Sequence, residues 1–531
     1  MKKTTPIFLL AAAAIAALLL QTGCTLIGLA VGAHADNRQP IQETTLQGME
    51  LLTIKPDTRL TVYLHSGETL TGRYYRAIKT KDSVASNAMI QIKPKNSPNI
   101  QIPIEQIDHV LIPRRKHTGM IIGAITGLVL DAGLVILALN SIADAVFSGL
   151  VLCPYGYSFD GKEYHLEAEL CSGAFYPAAQ RSDWSALRHL RPANGVYMVK
   201  LANKLQETDR IDQLGLLLFD HAPGARVCPA PDGAFFEISA PQPPRTARTP
   251  GGTDMTQALR LDDSDYWVNS PLGRTAGTTL PNDEVELQFD PPAGAAAAVL
   301  LIRLRNTLWA ANRHRAWLEL QGGQALSDWY AELSAHASAR EALNQMLSRE
   351  CNLQVQVWDG AAWHPAGEVP MVGPAVDKEI ALEIKLPDMT GKTLRLRLVG
   401  PAGYWMVSNA LVDFSCKRVQ PSFQLEPDQA LRPDGMDVAA RLNQADGAFA
   451  TLAAQGDEVE VRFPCPALPS GQDRTAVLHC NAYYTADVPA GNAPQTALFH
   501  RLICEPGAYR SWCLQTLETA YQAYQQQHTL N

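Results

Sequence analysis

Cys24 is the first residue whose type and setting point to chemistry. It closes "LLLQTGC", where an apolar run that begins behind Lys2 and Lys3 gives way to Gln21-Thr22-Gly23. Small residues ahead of a cysteine resemble a lipobox, at which signal peptidase cleaves and a diacylglyceryl group is carried on the cysteine sulfur. Gln21 departs from that pattern, where an aliphatic residue is usual. The other reading is an ordinary secretory leader, but no A-x-A-like cleavage site precedes the cysteine. In lipoproteins of this kind the resemblance, with Thr25 in place of Asp, implies passage to the outer membrane rather than retention at the inner one.

Other residues invite chemistry less strongly. Trp358 and Trp363 flank Asp359-Gly360, and Trp405 lies in "GYWMVSNALVDF". Aromatic rings on a sandwich surface stack on sugars, so these three are candidate ligand-facing aromatics, although rings at such positions more often pack across a hairpin or fill a core. Asp254 with Asp263, and Asp437 with Asp446, offer oxygen donors for a hard cation. The plainer reading of these aspartates is that they cap turns, and no metal site is expected. Acid pairs such as Glu167/Glu169 and Asp262/Asp263 suggest surface positions. The thirteen histidines are scattered. No nucleophile elbow, H-E-x-x-H, phosphate loop or dinucleotide fingerprint occurs, so neither an enzyme nor a cofactor is expected. A formal net charge of −8 disfavours nucleic acid as a partner.

The elements that must position these residues follow from periodicity. At 531 residues the chain exceeds one core. The fold expected is mainly β and multi-domain: a small SH3-like or Sm-like barrel, one apolar helix, then β-sandwich modules with helical inserts. Residues 1–23 form the leader and 24–48 a lipidated tether. Alternation around His65-Ser66-Gly67 places the barrel at 49–113.

In 114–141 follows an apolar helix. From Thr118 to Leu139 the only charge is Asp131, and Gly119, Gly123 and Gly127 share the spacing that lets membrane helices approach closely. That stripe resembles the glycine zippers of envelope lipoproteins, and it implies helix packing, a homo-oligomer, and a second bilayer contact at 118–139 beside Cys24. A buried soluble helix is the alternative, since a mid-membrane carboxylate is costly. A lipidated Cys24 and a spanning helix together would place the barrel and the sandwiches on opposite faces of one membrane.

Recurring Asp-Gly turns between alternating runs predict sandwich strands beyond Leu152. The expected divisions are 142–245, 246–420 with a helical insert, and 421–531 with a C-terminal helix. Duplication is visible in the sequence: Asp254 answers Asp437, "DEVELQF" at Asp283 answers "DEVEVRF" at Asp457, and "NTLW" at Asn306 answers "NAYY" at Asn481. Nine cysteines besides Cys24 leave one unpaired if the rest join, with Cys153–Cys171 and Cys351–Cys416 as candidate pairs.

"CPYGYSFDGKEYHLEAELCSGAFYP" behind the apolar segment, with "RNTLW" and "GYWMVSNALVDF", resembles a family of uncharacterised bacterial envelope lipoproteins. The resemblance implies β-rich modules behind a membrane segment and brings no activity. The function expected is a membrane-anchored, non-enzymatic binding or scaffold protein of the outer membrane, with an envelope protein or a glycan as partner. A carbohydrate-binding surface lipoprotein and an envelope hydrolase with an acidic site are the alternatives.

Overall fold

The computed structural model describes residues 42–46, 59–66, 68–78, 89–94, 100–103, 106–114, 154–260, 266–268, 282–386, 393–488 and 493–516. Cys24, Cys153, Asp263, Gly119, Gly123, Gly127 and the 118–139 segment lie outside them. The architecture is mainly β. Among the described residues no helix is long and apolar enough to cross a membrane.

The chain divides into two compact units. The N-terminal one holds an antiparallel six-stranded sheet of β1 (Gln42–Leu46), β2 (Arg59–Leu64), β3 (Thr69–Ile78), β4 (Met89–Pro94), β5 (Ile100–Pro103) and β6 (Ile107–Arg114), ordered β1-β6-β2-β3-β4-β5. Alternation sends Leu60, Val62, Ile90, Ile92 and Val110 to one core. Strand β1 starts before residue 49, inside the stretch expected to be tether, because its backbone finds a free edge on β6.

The second unit spans Val146–Cys513. Its first strands are β7 (Tyr155–Phe159), β8 (Tyr164–Glu169), β9 (Arg181–Leu187), β10 (Val196–Ala202), β11 (Glu207–His221), β12 (Arg226–Pro229) and β13 (Phe235–Ile238). Next come β14 (Thr246–Arg248), β15 (Asn282–Phe289), β16 (Ala297–Asn306) and three helices, α1 (Leu308–Glu319), α2 (Gly323–Ala335) and α3 (Ala337–Glu350). Then follow β17 (Leu353–Trp358), β18 (Trp363–Val369), β19 (Lys378–Lys385), β20 (Leu394–Pro401) and β21 (Trp405–Asp413). The chain returns through β22 (Lys417–Arg418), β23 (Phe423–Leu425), β24 (Gln429–Leu431), β25 (Ala450–Leu452), β26 (Glu458–Pro464), β27 (Asp473–Ala486) and α4 (Thr496–Cys504).

Two sandwiches result. In the first, a sheet ordered β24-β26-β10-β7-β8 and another ordered β23-β11-β27-β9 enclose Val199, Leu216, Val461, Phe463 and Leu478. In the second, β14-β15-β20-β17-β18 and β19-β16-β21 enclose Leu287, Leu300, Leu353, Leu396 and Val407. The helices add Trp317, Trp329 and Phe499 to that second core. A small sheet, β12-β13-β22, covers the outer side of β16, β19 and β21 with Phe236 and Ile238.

Strand register shows how the duplicated sequence is used. Val199 of β10 stands opposite both Ser158 of β7 and Val461 of β26. Leu396 of β20 stands opposite Val357 of β17 and Leu287 of β15 in the same way. Asp254 bridges back to Arg248 as Asp437 does to Leu431. So β7–β11 of the first repeat match β17–β21 of the second, and β14, β15, β16 match β24, β26, β27. Each sandwich takes five strands from one repeat and three from the other.

This pairing sets the divisions. Residues 246–413 hold all strands of the second sandwich, whereas 142–245 and 421–531 complete one another in the first. One sequence match shifts. Arg303 opposes Asn409 beside a bulge, and Asn481 opposes Gln213 beside the corresponding bulge. Asn306 therefore corresponds to Tyr484 rather than Asn481, and both their amides donate to equivalent carbonyls, of Gly373 and Ala174.

The Cys351–Cys416 pairing is not formed, since both are free thiols. Cys351 sits inside the second core while Cys416 packs beneath β13 on the outer side, so a sheet separates them. Cys171 is also free.

Candidate functional site

Trp358 and Trp363 end the facing strands of the β17–β18 hairpin and stand directly opposite. The turn between them is built by Asp359. One of its carboxylate oxygens accepts the Ala361 and Ala362 amides at 2.7 and 2.8 Å, and the other meets His364 Nε2 at 2.7 Å. Gly360 supplies the required positive φ of 107°. These amide bonds, with His364, hold the Asp359 carboxyl down at about 2.

The two indoles lie 5.3 Å apart at 59° on the outer face of the sheet. Arg395 stacks over both, at 4.9 Å from Trp358 and 5.4 Å from Trp363, and Arg397 lies 4.6 Å from Trp363. Acids hold the guanidinium groups: Glu286 takes Arg395 in two bonds of 2.8 Å, and Glu284 meets Arg397 at 3.3 Å. The Arg395 bonds pull the Glu286 carboxyl below its ordinary value. The result is a half-exposed ladder of ring, cation and acid.

The first sandwich carries a shorter ladder of the same kind on its equivalent face, with Met198 where the second has Arg395. Lys200 lies 5.0 Å over Tyr164 and 5.2 Å over Tyr157, the Tyr164 hydroxyl donates to Glu460 at 3.0 Å, and Glu458 meets Lys200 at 3.6 Å. The strand register makes Lys200 the counterpart of Arg397, and Glu460 that of Glu286.

Trp405 is not ligand-facing. It is buried at 3% exposure, and its indole N–H donates to the Cys351 carbonyl at 3.0 Å. The whole of β21 is buried, because the core covers one face and the β12-β13-β22 sheet the other.

Of the paired aspartates, the three that are described cap turns. Asp437 accepts the Ala430 and Ala439 amides at 3.0 and 2.9 Å, Asp254 accepts that of Thr256 at 2.9 Å, and Asp446 that of Ala448 at 2.9 Å.

Among the described residues, Asp160, Glu163 and His165 bring ligand atoms within 4.8 Å of one another. Sequence reasoning missed this group. Its Asp160–His165 contact of 2.8 Å repeats the Asp359–His364 contact, so it belongs first to the hairpin, and only Glu163 (Ala362 in the other repeat) is additional.

Glu167 and Glu169 are buried, against the surface position expected of them. Glu167 accepts from Ser158, from the Arg188 and His189 amides, and pairs with the His189 ring at 2.8 Å. Glu169 reaches the second sandwich, where Oε2 accepts the Ala375 and Val376 amides at 2.6 and 3.2 Å. Burial pushes its carboxyl up to about 8. Nearby, Glu379 of β19 clamps Arg188 at 3.1 Å and Arg226 at 2.8 Å, and Lys378 pairs with Asp183. These contacts join the sandwiches. No local signal in "YHLEAE" marks them, because the segments that bury these acids lie far away in sequence.

Another buried acid pair, Glu207 and Asp209 on β11, is sealed at 1% and 0% exposure, and burial drives the Asp209 carboxyl well up.

No family model matches the chain, and no curated protein matches it. Among solved structures, it is similar to the infectious bursal disease virus VP2 subviral particle at 8% identity and a TM-score of 0.14, over 92% of this chain and 93% of that one. The infectious bursal disease virus Gx strain structure gives 8% identity and a TM-score of 0.12, over 87% and 85%. Scores this low carry no argument about fold or function.

Proposed function

We propose that the chain is a bacterial outer-membrane lipoprotein, anchored through Cys24, that acts as a non-enzymatic binding or scaffold protein. The observation that carries the binding role is the ladder of ring, cation and acid, repeated on corresponding outer faces of two interlocked sandwiches. Its half-exposed groups suit a polar partner, because each offers a flat apolar surface beside a charge that is already paired. Segment 118–139 supplies a second bilayer contact in this reading, and the stripe of Gly119, Gly123 and Gly127 a route to oligomers. The anchor reading rests on the leader and on "QTGC".

Pull-down with the anchored full chain tests the role. Capture of an envelope protein that Arg395→Ala and Trp363→Ala both weaken tenfold or more is the expected result. Capture unchanged by either would remove the ladder as the binding face. Mass spectrometry of the mature N-terminus tests the anchor, which an unmodified Cys24 would rule out. Protease shaving of intact cells then reports which side of the membrane the sandwiches face.

A glycan is the second reading, favoured by the Trp358–Trp363 pair alone. Arg395 and Arg397 already cover ring surface that a sugar would use, which places it behind a protein partner. Glycan-array binding lost in Trp358→Ala would reverse that order.

A further inference from the structure

The helical residues 508–513 lie against the end of α3 through a series of contacts. The Gly507 amide donates to Glu350 Oε1 at 2.8 Å. Arg510 pairs with Glu350 at 3.3 Å and donates to the Arg349 carbonyl. A cysteine follows on each line: Cys351 directly after Glu350, just past α3, and Cys513 about one helical turn beyond Arg510. Two consecutive residues at the start of β21, Tyr404 just before it and Trp405 its first, touch both. Tyr404 hydroxyl and Cys513 Sγ are hydrogen-bonded at 3.3 Å, and Trp405 donates to the Cys351 carbonyl at 3.0 Å. Both thiols are free and buried in the same core. They are close enough that a Cys513 thiolate would oppose ionisation of Cys351, and burial pushes Cys513 up to about 12.

We infer that Cys351 and Cys513 are a redox pair whose disulfide locks the C-terminal helix onto the second sandwich. The chemistry is thiol–disulfide exchange with a small disulfide oxidant. One cysteine thiolate attacks the oxidant and releases one thiol, leaving a mixed disulfide. The second cysteine thiolate then attacks the protein sulfur of that mixed disulfide and releases the other thiol. In sum two cysteine thiols lose two electrons and two protons, and one disulfide molecule becomes two thiols. Thiolate is scarce while the pair is buried, so exchange proceeds when the 493–513 segment lifts. Once closed, the same burial shields the bond from reductant. The envelope reading bears only on where oxidation occurs in the cell; the pairing rests on the contacts above.

The test treats the reduced full chain with oxidised glutathione, alkylates it in denaturant, and maps non-reduced peptides by mass spectrometry. A Cys351–Cys513 linked peptide is expected, together with a melting temperature several degrees above that of the reduced chain. Cys504→Ser, at an exposed thiol, should keep both effects, and Cys513→Ser should lose both. Separate alkylated peptides for Cys351 and Cys513 from the oxidised wild-type chain would overturn the inference, as would Cys351 joined to any other cysteine. Formation of the linked peptide from purified chain, with both thiols reduced in cells, would uphold the pair and overturn the oxidising location instead.

Discussion

Val461 lies opposite Val199 in an antiparallel ladder, although one belongs to the second repeat and the other to the first. Leu287 and Leu396 reverse the exchange. Neither repeat can close a sandwich from its own strands in this arrangement, because the other repeat holds the two strands at one edge of the five-stranded sheet and the strand (β27 or β16) that lies between two of its own.

Cutting the chain between His336 and Ala337, at the exposed junction of α2 and α3, leaves one repeat in each fragment. Each fragment alone is expected to show no cooperative unfolding, while the mixed pair should co-elute and unfold as one species. Two independently folded fragments by circular dichroism would contradict the exchange.

Glu379 holds Arg188 and Arg226, and those two cations keep its carboxyl well below the ordinary range. A depressed acid stabilises the fold above its ordinary value, and that contribution is lost as pH falls through the folded value. Glu379→Gln should cost about 3 kcal/mol at pH 7, since two guanidinium groups lose their buried counter-charge. The difference between variant and wild type should shrink below pH 4, measured by urea unfolding.

Glu169 has the opposite sign. With its carboxyl raised from 4.5 to about 8, the folded state holds a proton that the unfolded state releases across that window. Its contribution therefore falls as pH rises from 4.5 to 8, by up to about 1.4 kcal/mol per unit. Glu169→Gln should flatten that slope and match or exceed wild-type stability at pH 8. A parallel pH profile would refute this.

Gly373 packs against the same carboxyl. A Cβ there would stand 2.4 Å from Glu169 Cδ, on a backbone with φ of 91°. Gly373→Ala should cost about 1–3 kcal/mol from the backbone alone and more from the clash. Pairing it with Glu169→Ala should recover the clash portion, which a double-mutant cycle measures.

The tryptophans separate by burial. Trp405→Ala empties a core site and should cost about 3–5 kcal/mol. Trp358→Ala removes one ring from a half-exposed ladder and should cost about 1 kcal/mol. Denaturant midpoints for the two variants check the order.

Alternating apolar residues and Asp-Gly turns determined the strands, and Asp283 with Asp457 marked the duplication correctly. Those signals are local, as each depends on a few neighbouring residues and their backbone preferences. The same locality explains the shifted match at Asn306: identical asparagines in similar strings say nothing of where a bulge falls.

The sequence by itself therefore determined a β-rich duplicated chain and turns capped by Asp160, Asp359 and Asp437. Only the tertiary structure decided which repeat completes which sandwich, that Trp405 is core while Trp358 and Trp363 face outward, and that Cys351 neighbours Cys513 and not Cys416. The physical reason is the range of the interactions. Turn capping and alternation act over a few residues, whereas edge pairing, burial of an indole and proximity of two thiols depend on chain segments far apart in sequence.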